Sequence, residues 1–195
     1  MPLKQLLLVR HGQPDEGHAT RPGDPPLHIN GHAQARALAL RRLAFEPIDR
    51  IVSSPQQRAI DTAAPLARLL GIEIELVEGI AECDRNTGRY RSPDTIRREE
   101  PHRWAEFLQS PPRFLGVDPD VFRQTVLDAF AALLADAHGQ TIAVFSHGMP
   151  IKTMVAHCLG LPGTETFSLD HCSVTRMVGS SLQDLRARTL NESTP

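Results

Sequence analysis

Residues 6–12 read Leu-Leu-Leu-Val-Arg-His-Gly, and the fold class that we predict follows from this stretch. A continuous apolar run of this length is typical of a strand buried on both faces, as in a parallel sheet. The run stops at Arg10 and His11, so we expect the chain to leave the sheet there. Gly12 follows, and a residue without a side chain lets the backbone lie close to a ligand.

A second segment, residues 141–148, repeats this arrangement far along the chain. The run Thr-Ile-Ala-Val-Phe is followed by Ser146, His147 and Gly148. Both segments therefore place an imidazole and then a glycine just beyond a buried strand. In open α/β sheets ligands bind beyond the carboxyl ends of the strands, so the two histidines are candidates for one site.

A third segment, residues 53–59, reads Ser-Ser-Pro-Gln-Gln-Arg-Ala. It predicts a helix with Ser54 as the N-cap, Pro55 at the first position and Arg58 in the first turn. That helix follows a short strand predicted at residues 49–53, so it begins at the same edge of the sheet. Arg58 can therefore join the two histidines.

The rest of the chain alternates between strand-like and helix-like patterns. Helices are predicted at residues 33–43, 54–70, 94–108, 121–137 and 150–159, further strands at 72–77 and 173–178, and fraying from about 191. Pro111 and Pro112 predict a chain break. This order favours an α/β fold, a three-layer αβα sandwich with a mostly parallel central sheet and helices on both faces.

The composition is that of an ordinary globular chain. Its 195 residues suit one domain, or one domain with an insertion, and 41% of them are hydrophobic and 23% charged. Such a composition argues against disorder. We predict a single domain over residues 1–195, with a short cap insertion at about residues 84–119 that is rich in Arg and Pro.

Charge and cysteine content argue against several classes of function. A formal net charge of −2 gives no basic field for nucleic acid or an anionic membrane. The three cysteines form neither a zinc pattern nor a disulfide framework, and the apolar run at residues 6–9 is too short for a signal segment or a membrane span. We therefore expect a cytoplasmic protein with no nucleic-acid or membrane partner, and its oligomeric state stays open.

The converging side chains suit phosphoryl transfer. Guanidiniums match phosphate oxygens and stay charged at any working pH. A neutral imidazole can attack phosphorus and give a phosphohistidine, while a second, protonated imidazole can neutralise charge on the equatorial oxygens. Because such cations can replace magnesium, we expect neither a metal nor another cofactor.

In their order and spacing, the three segments resemble the histidine phosphatase superfamily, the phosphoglycerate-mutase-like group. The resemblance spans about residues 5–178 and is carried by Leu8–Gly12, Ser53–Ala63 and Ser146–Gly148, with further agreement at Asp24–Ala35 and Cys172–Thr175. It implies the phosphoglycerate-mutase-like fold.

Carried over by position, the resemblance implies that His11 is the nucleophile that becomes phosphorylated. Arg10 and Arg58 would clamp the phosphoryl group, and His147 would complete the pocket. The general acid of the family is a carboxylate at the place of Glu82, which would protonate the leaving oxygen and then activate the hydrolytic water.

The segment after Glu82 departs from the family pattern. Residues 83–90 replace the aromatic-acid-Gly stretch that often follows the acid, which leaves Asp84 as the alternative acid. The arginines of the cap have two interpretations. They form a solvated face offset by nearby acids, or they select a second anionic group on the substrate.

Two loops near the histidines also depart from the pattern. Gly17 stands where the family has a polar Asn, so Gln13 and Arg21 are candidates for substrate contacts from that loop. Met149 stands where a second glycine is common, and its backbone N–H can face phosphate from a helix start, beside the open backbone of Gly148.

The resemblance implies a histidine acid phosphatase-type phosphomonoesterase acting on a small phosphorylated substrate. One alternative is a phosphoglycerate mutase, although the short cap favours a more open, hydrolytic pocket. Another is a binder of phosphorylated ligands without catalysis. Sugar phosphates, phosphoglycerates, nucleotide-pathway phosphates, cobalamin-precursor phosphates and phosphoproteins are all compatible substrates.

Overall fold

The computed structural model describes residues 3–17, 23–164 and 167–193. These residues form six strands and seven α-helices, the predicted α/β class. The strands are β1 (Lys4–Arg10), β2 (Arg50–Ser53), β3 (Ile74–Leu76), β4 (Thr141–Ser146), β5 (Val174–Gly179) and β6 (Arg186–Glu192). The helices are α1 (Ile29–Arg41), α2 (Gln57–Leu70), α3 (Pro93–Glu99), α4 (Trp104–Gln109), α5 (Pro111–Phe114), α6 (Pro119–Ala135) and α7 (Gly148–Leu159). Among these residues, no helix combines the length and the apolarity that crossing a bilayer requires.

The strands lie in one mixed sheet in the order β3-β2-β4-β1-β5-β6. β1 pairs in parallel with β4, and β2 pairs in parallel with both β3 and β4. β5 is antiparallel to β1, and β6 is antiparallel to β5. The predicted mostly parallel sheet is confirmed, and the carboxyl ends of β1 to β4 share one edge.

Helices cover both faces of the sheet because side chains alternate along each strand. Leu7 and Val9 of β1 join a buried core with α1 and α2. Leu6 and Leu8 join a second core with α6 and α7. The same apolar run therefore supplies both cores, which confirms the three-layer arrangement.

Residues 84–119 carry a third, smaller core. Within this cap, α3, α4 and α5 bury Ile96, Phe107 and Phe114 against one another. The single helix predicted at residues 94–108 is wrong. Pro101 begins a turn of 3-10 helix between α3 and α4, because a proline has no N–H with which to continue the preceding helix.

The predicted break at Pro111 and Pro112 is also a helix start. Both prolines lie in the first turn of α5, where the missing N–H groups have no helical partner to lose. The side-chain oxygen of Ser110 accepts the N–H of Arg113 and caps the turn.

The start of α2 lies two residues later than predicted, at Gln57. Ser54 is not its N-cap, because the N–H of Ser54 donates to the carbonyl of Phe145 at 2.9 Å and prolongs the pairing of β2 with β4. The carboxylate of Asp24 caps the helix from another loop and accepts the N–H of Gln57 at 2.9 Å.

The sequence pattern did not predict β6, and it predicted fraying where this strand ends. Its residues, Arg-Ala-Arg-Thr-Leu-Asn-Glu, are mostly polar and mostly exposed, and the two apolar residues do not alternate with polar ones. The strand lies at the edge of the sheet, where pairing with β5 stabilises it.

Candidate active site

The sheet brings His11 and His147 together. β1 and β4 are adjacent and parallel with Arg10 opposite Ser146, so the residues that follow leave the sheet side by side. The backbone N–H of His11 donates to the carbonyl of Ser146 at 2.9 Å. The ring centroids of the two histidines lie 5.1 Å apart, and both side chains are buried. The predicted convergence of the two imidazoles is confirmed.

The imidazole of His11 is oriented by its own loop. Its Nδ1 lies 2.8 Å from the carbonyl oxygen of Gly12. A carbonyl only accepts hydrogen bonds, so Nδ1 carries the hydrogen and Nε2 carries a lone pair. Burial, together with the positive charges of Arg58 and Arg10, holds the pKa of His11 well below its usual 6.5. The ring is therefore neutral at pH 7, as a nucleophile must be.

His147 is also neutral, which differs from the protonated second histidine expected from the sequence. Burial is the main cause that lowers the pKa of His147 well below 6.5, followed by the charge of Arg58. Its Nε2 lies 2.8 Å from Oγ of Ser54. In the described structure its Nδ1 is buried without a hydrogen-bond partner.

Arg58 lies in the first turn of α2 and is fully buried. Its Nη2 donates to both carboxylate oxygens of Asp84, at 2.9 and 3.1 Å. The ring of Tyr90 packs 4.7 Å from the guanidinium carbon. Burial disfavours the charged form of Arg58, whereas Asp84 and other neighbouring groups favour it. Their combined effect is larger than that of burial, so the pKa of Arg58 is raised above its usual value.

Arg10 ends β1 and points into the same site. Its Nη1 donates to the carbonyl of Leu169. Burial outweighs the favourable charges nearby and lowers the pKa of this guanidinium below its usual value.

Several buried nitrogens of this cluster lack a hydrogen-bond partner among the described residues. They are Nε of Arg10, Nε and Nη1 of Arg58, and Nδ1 of His147. Nη1 of Arg58 lies 3.6 Å from Asp24, close enough for charge attraction but too far for a hydrogen bond. Buried donors without partners are costly and rare, so this cluster is built to receive an acceptor, and its charge favours an anion.

Glu82 lies beside the histidine cluster and lines a cavity together with Arg10, His11 and Arg58, whereas His147 is not among the described residues that line it. Its two carboxylate oxygens accept the backbone N–H groups of Cys83 at 3.0 Å and Met149 at 3.1 Å. Burial, reinforced by the negative charge of Asp84, raises the pKa of Glu82 above its usual 4.5. This carboxyl group can therefore hold a proton at a higher pH than an ordinary glutamate.

Asp84, the alternative acid, is fully engaged in structural contacts. Besides Arg58, it accepts the side-chain amide of Gln56 at 3.1 Å. The amide oxygen of Gln56 in turn accepts the backbone N–H of Glu82 at 2.7 Å. This geometry favours Glu82 as the acid and gives Asp84 a positioning role.

The remaining predicted contacts differ in their placement. Gly148 and Met149 line the cavity, but the N–H of Met149, which we expected to face phosphate, donates to Glu82. The backbone N–H of Gln13 donates to Gln34, and Gln13 is not among the described residues that line the cavity. Arg21 lies outside the described residues.

Sequence reasoning missed two side chains of the site. Tyr90 lines the cavity, and burial raises the pKa of its hydroxyl. The ring of His171 lies 5.7 Å from that of His11, and burial and the charge of Arg10 lower the pKa of His171 to about 4. The signal that was available is the position of His171 immediately before the motif that begins at Cys172.

The contacts of the cap arginines favour the first of the two interpretations, a solvated face whose positive charge is offset by nearby acids. Arg89 pairs with Glu99, and Arg91 pairs with Glu100. The further pairs are Arg85 with Glu78, Arg98 with Glu99, and Arg103 with Glu100 and Glu106. Arg97 lies over the ring of Trp104 instead.

The arrangement of two imidazoles, two guanidiniums and one carboxyl group at the edge of this sheet defines a class of protein. The chain matches the histidine phosphatase superfamily (branch 1) over residues 6–191. It belongs to that superfamily.

The relatives include a protein named as a phosphatase and others named as probable phosphoglycerate mutases. The chain is 27% identical over 177 residues to phosphoserine phosphatase 1 of Hydrogenobacter thermophilus, which covers 87% of this chain and 83% of that protein. It is 29% identical over 181 residues to a probable phosphoglycerate mutase of Photorhabdus laumondii, which covers 89% and 84%. Mycobacterial relatives that are 31% identical over 158 residues are longer, and the chain spans 43% of their length.

Solved structures share the fold. A mycobacterial glucosyl-3-phosphoglycerate phosphatase superposes with a TM-score of 0.75 at 22% identity, over 98% of this chain and 100% of that one.

Proposed function

We propose that this protein is a phosphomonoesterase that hydrolyses a small phosphate monoester in two steps through a phosphohistidine at His11. The observation that carries the proposal is a cluster of buried nitrogens that have no hydrogen-bond partner in the part of the chain that the structure describes, next to a neutral imidazole. Arg10, Arg58 and His147 offer these nitrogens, and Nε2 of His11 keeps its lone pair. The oxygens of a phosphoryl group are acceptors that suit such donors.

In the first step, Nε2 of His11 attacks phosphorus as the bond to the ester oxygen breaks. The protonated carboxyl group of Glu82 donates its proton to the leaving oxygen, so the alcohol departs neutral. The guanidiniums and Nδ1 of His147 donate to the non-bridging oxygens, where the negative charge lies.

His147 can donate from Nδ1 because of its contact with Ser54. Oγ of Ser54 already accepts the N–H of Gln56 at 3.3 Å, and its own proton can be donated to Nε2 of His147. Nδ1 then carries the ring hydrogen. A bound phosphate dianion also raises the pKa of His147, because an opposite charge favours the charged form.

In the second step, water attacks the phosphohistidine. The carboxylate of Glu82 accepts a proton from that water, the phosphorus–nitrogen bond breaks, and inorganic phosphate and neutral His11 result. Guanidiniums and imidazoles thus fill the role of magnesium in other phosphoryl-transfer enzymes, so the proposed reaction needs neither metal nor cofactor. The need for a protonated Glu82 favours an acidic to neutral optimum.

The test is phosphate release in the presence of EDTA, with His11→Ala as control. We expect turnover by the wild-type protein, no turnover by His11→Ala, and acid-labile label on wild-type protein quenched during turnover of a ³²P-labelled ester. Turnover that survives in His11→Ala would rule the mechanism out. Tight binding of phosphate without labelling or turnover would identify a binder of phosphorylated ligands instead.

A phosphoglycerate mutase is the second candidate, because several relatives are named probable phosphoglycerate mutases. A mutase must return the phosphoryl group to a reoriented product before water attacks. The assay that separates the two follows 3-phosphoglycerate with bisphosphoglycerate present. Isomerisation faster than phosphate release would identify a mutase, and phosphate release alone supports the phosphatase.

A further inference from the structure

The cavity at the cationic cluster is lined by charged side chains on one part and by mostly apolar side chains on the rest. It measures about 240 Å³, and its lining includes Arg10, His11, Arg58 and Glu82, which we call its base. Its walls come from the cap and from α7, and they include Trp104, Phe107, Leu108, Leu115 and Met149. A substrate whose phosphoryl group sits on the base therefore places the rest of the molecule against aromatic and aliphatic side chains.

The apolar wall is held in place by the core of the cap. The rings of Trp104 and Phe107 stack with centroids 5.3 Å apart. Phe107 meets Phe114 edge to face at 5.4 Å. Because Phe107 and Phe114 are buried, the wall is a preformed surface that needs no ligand to assemble it.

Two charged side chains that line the cavity beyond its base, Arg91 and Lys152, already have partners. The guanidinium of Arg91 pairs with Glu100 and lies 5.3 Å from the ring of Phe114. The ammonium of Lys152 lies 5.7 Å from the ring of Phe167. A carboxylate next to the phosphate of a substrate would have to compete with Glu100 for Arg91, or draw Lys152 from its own contacts.

We propose that the substrates are phosphate monoesters of small uncharged alcohols with an aromatic or branched aliphatic group, and not carboxylated esters such as phosphoglycerates or phosphoserine. This inference rests on the proposed function and specifies its substrate class. Size is consistent with one ring, since an apolar cavity of about 150 Å³ accommodates benzene. The ring lies in the apolar part of the cavity, and the phosphoryl group lies on the base.

The test compares esters of primary alcohols, so that leaving-group reactivity is similar. We expect kcat/KM for benzyl phosphate to exceed that for phosphoserine and 3-phosphoglycerate by about tenfold or more, as burial of one ring predicts. Equal or higher kcat/KM for the carboxylated esters would overturn the substrate class while leaving the phosphatase intact. Absence of phosphate release from every ester would instead overturn the proposed function.

Binding of phosphonates tests the cavity without turnover. Benzylphosphonate should bind about tenfold or more tightly than 3-phosphonopropionate in calorimetry, for the same reason. Equal or tighter binding of the carboxylated phosphonate contradicts the apolar assignment even in a protein that turns nothing over.

A charge placed on the wall should reverse the preference. Leu108 lines the cavity and Leu69 of α2 does not, yet both are 45% exposed, so each position tolerates a charged side chain. In Leu108→Arg we expect kcat/KM for benzyl phosphate to fall and that for 3-phosphoglycerate to rise. Leu69→Arg should change neither, and melting temperatures show that both variants fold. An unchanged preference in Leu108→Arg contradicts the inference.

Discussion

Asp84 and Arg58 form an ion pair that is almost entirely shielded from solvent, with Nη2 of the arginine 2.9 Å from Oδ1 of the aspartate. The same carboxylate lies close enough to Glu82 to raise the pKa of that group. One residue therefore holds the guanidinium that we propose binds phosphate, and it adds to the burial that raises the pKa of the proposed general acid. Gln56 connects the two acids, because its side-chain amide donates to Asp84 and its amide oxygen accepts the backbone N–H of Glu82.

Asp84→Asn should move the alkaline limb of the pH–rate profile to lower pH. The negative charge of Asp84 raises the pKa of Glu82, so its removal lowers that pKa. The proposed mechanism requires protonated Glu82. As the pH is raised, Asp84→Asn should therefore lose activity at a lower pH than the wild-type protein does. The measurement is kcat/KM for one ester from pH 4 to 9, and an alkaline limb that stays in place would contradict the coupling.

The same substitution should also destabilise the protein. It leaves the charge of Arg58 buried without the carboxylate that now accepts its hydrogen bonds, while Asp24 stays 3.6 Å away. Breaking a buried pair in this way costs about 3–5 kcal/mol in the free energy of unfolding. We expect inorganic phosphate to restore more stability to Asp84→Asn than to the wild-type protein in urea titrations. Equal stabilisation of both proteins would place the phosphate away from Arg58.

Glu82→Gln should discriminate between good and poor leaving groups. An amide cannot donate the proton that an alkoxide leaving group needs, so kcat/KM for benzyl phosphate should fall about 10²- to 10⁴-fold. The loss should be much smaller for 4-nitrophenyl phosphate, whose leaving group departs without a proton. Glu78→Gln, an exposed acid four residues earlier, is the matched control and should leave both rates unchanged. Equal losses for the two esters would mean that Glu82 is not the acid.

The parts of the fold that follow from the sequence are those with strong hydrophobic patterns. Residues 6–9 and 142–145 are continuous apolar runs, and their short length favours buried strands over helices. Once both strands are parallel, His11 and His147 must leave the sheet at one edge. That step needs only topology, which is why the central pair of the site could be predicted.

The parts that were missed depend on partners distant in the chain. β6 is polar and gains its stability from pairing with β5, which no local pattern records. The role of Gln56 depends on two acids that the fold brings beside it, and the N-terminus of α2 depends on Asp24.

His171 approaches His11 because residues 170–173 pack against the end of β1. Long-range contacts of this kind override local propensity.

The free energy of unfolding should fall as the pH drops below about 6.5. His11 and His147 have a pKa well below 6.5 in the folded protein, while the unfolded chain takes up protons near 6.5. The unfolded state therefore binds more protons in this window, and stability falls by up to about 1.4 kcal/mol per pH unit for each group. Urea titrations between pH 7.5 and 5 measure the slope.

Variants assign that slope to the site. His11→Asn should reduce the slope, whereas His102→Asn, at an exposed position of the cap, should leave it unchanged. Inorganic phosphate should also reduce it, because a bound anion favours the charged imidazoles. A slope that is the same in His11→Asn and in the wild-type protein would show that His11 titrates normally in the folded state.

Gly31→Ala should disturb the nucleophile from a distance. A Cβ atom at Gly31 would lie 2.2 Å from the carbonyl oxygen of Gln13, a backbone atom that cannot yield without moving the loop. Gly12 packs against the same glycine, and its carbonyl orients the ring of His11. We expect a loss of about 1–3 kcal/mol in the free energy of unfolding and a lower kcat. Gly17→Ala, in the loop that contains Gln13, is the control: its new Cβ comes no closer than 3.7 Å to another described residue, so both quantities should stay near the wild-type values. A Gly31→Ala protein with wild-type stability and kcat would show that this backbone contact does not hold the His11 loop.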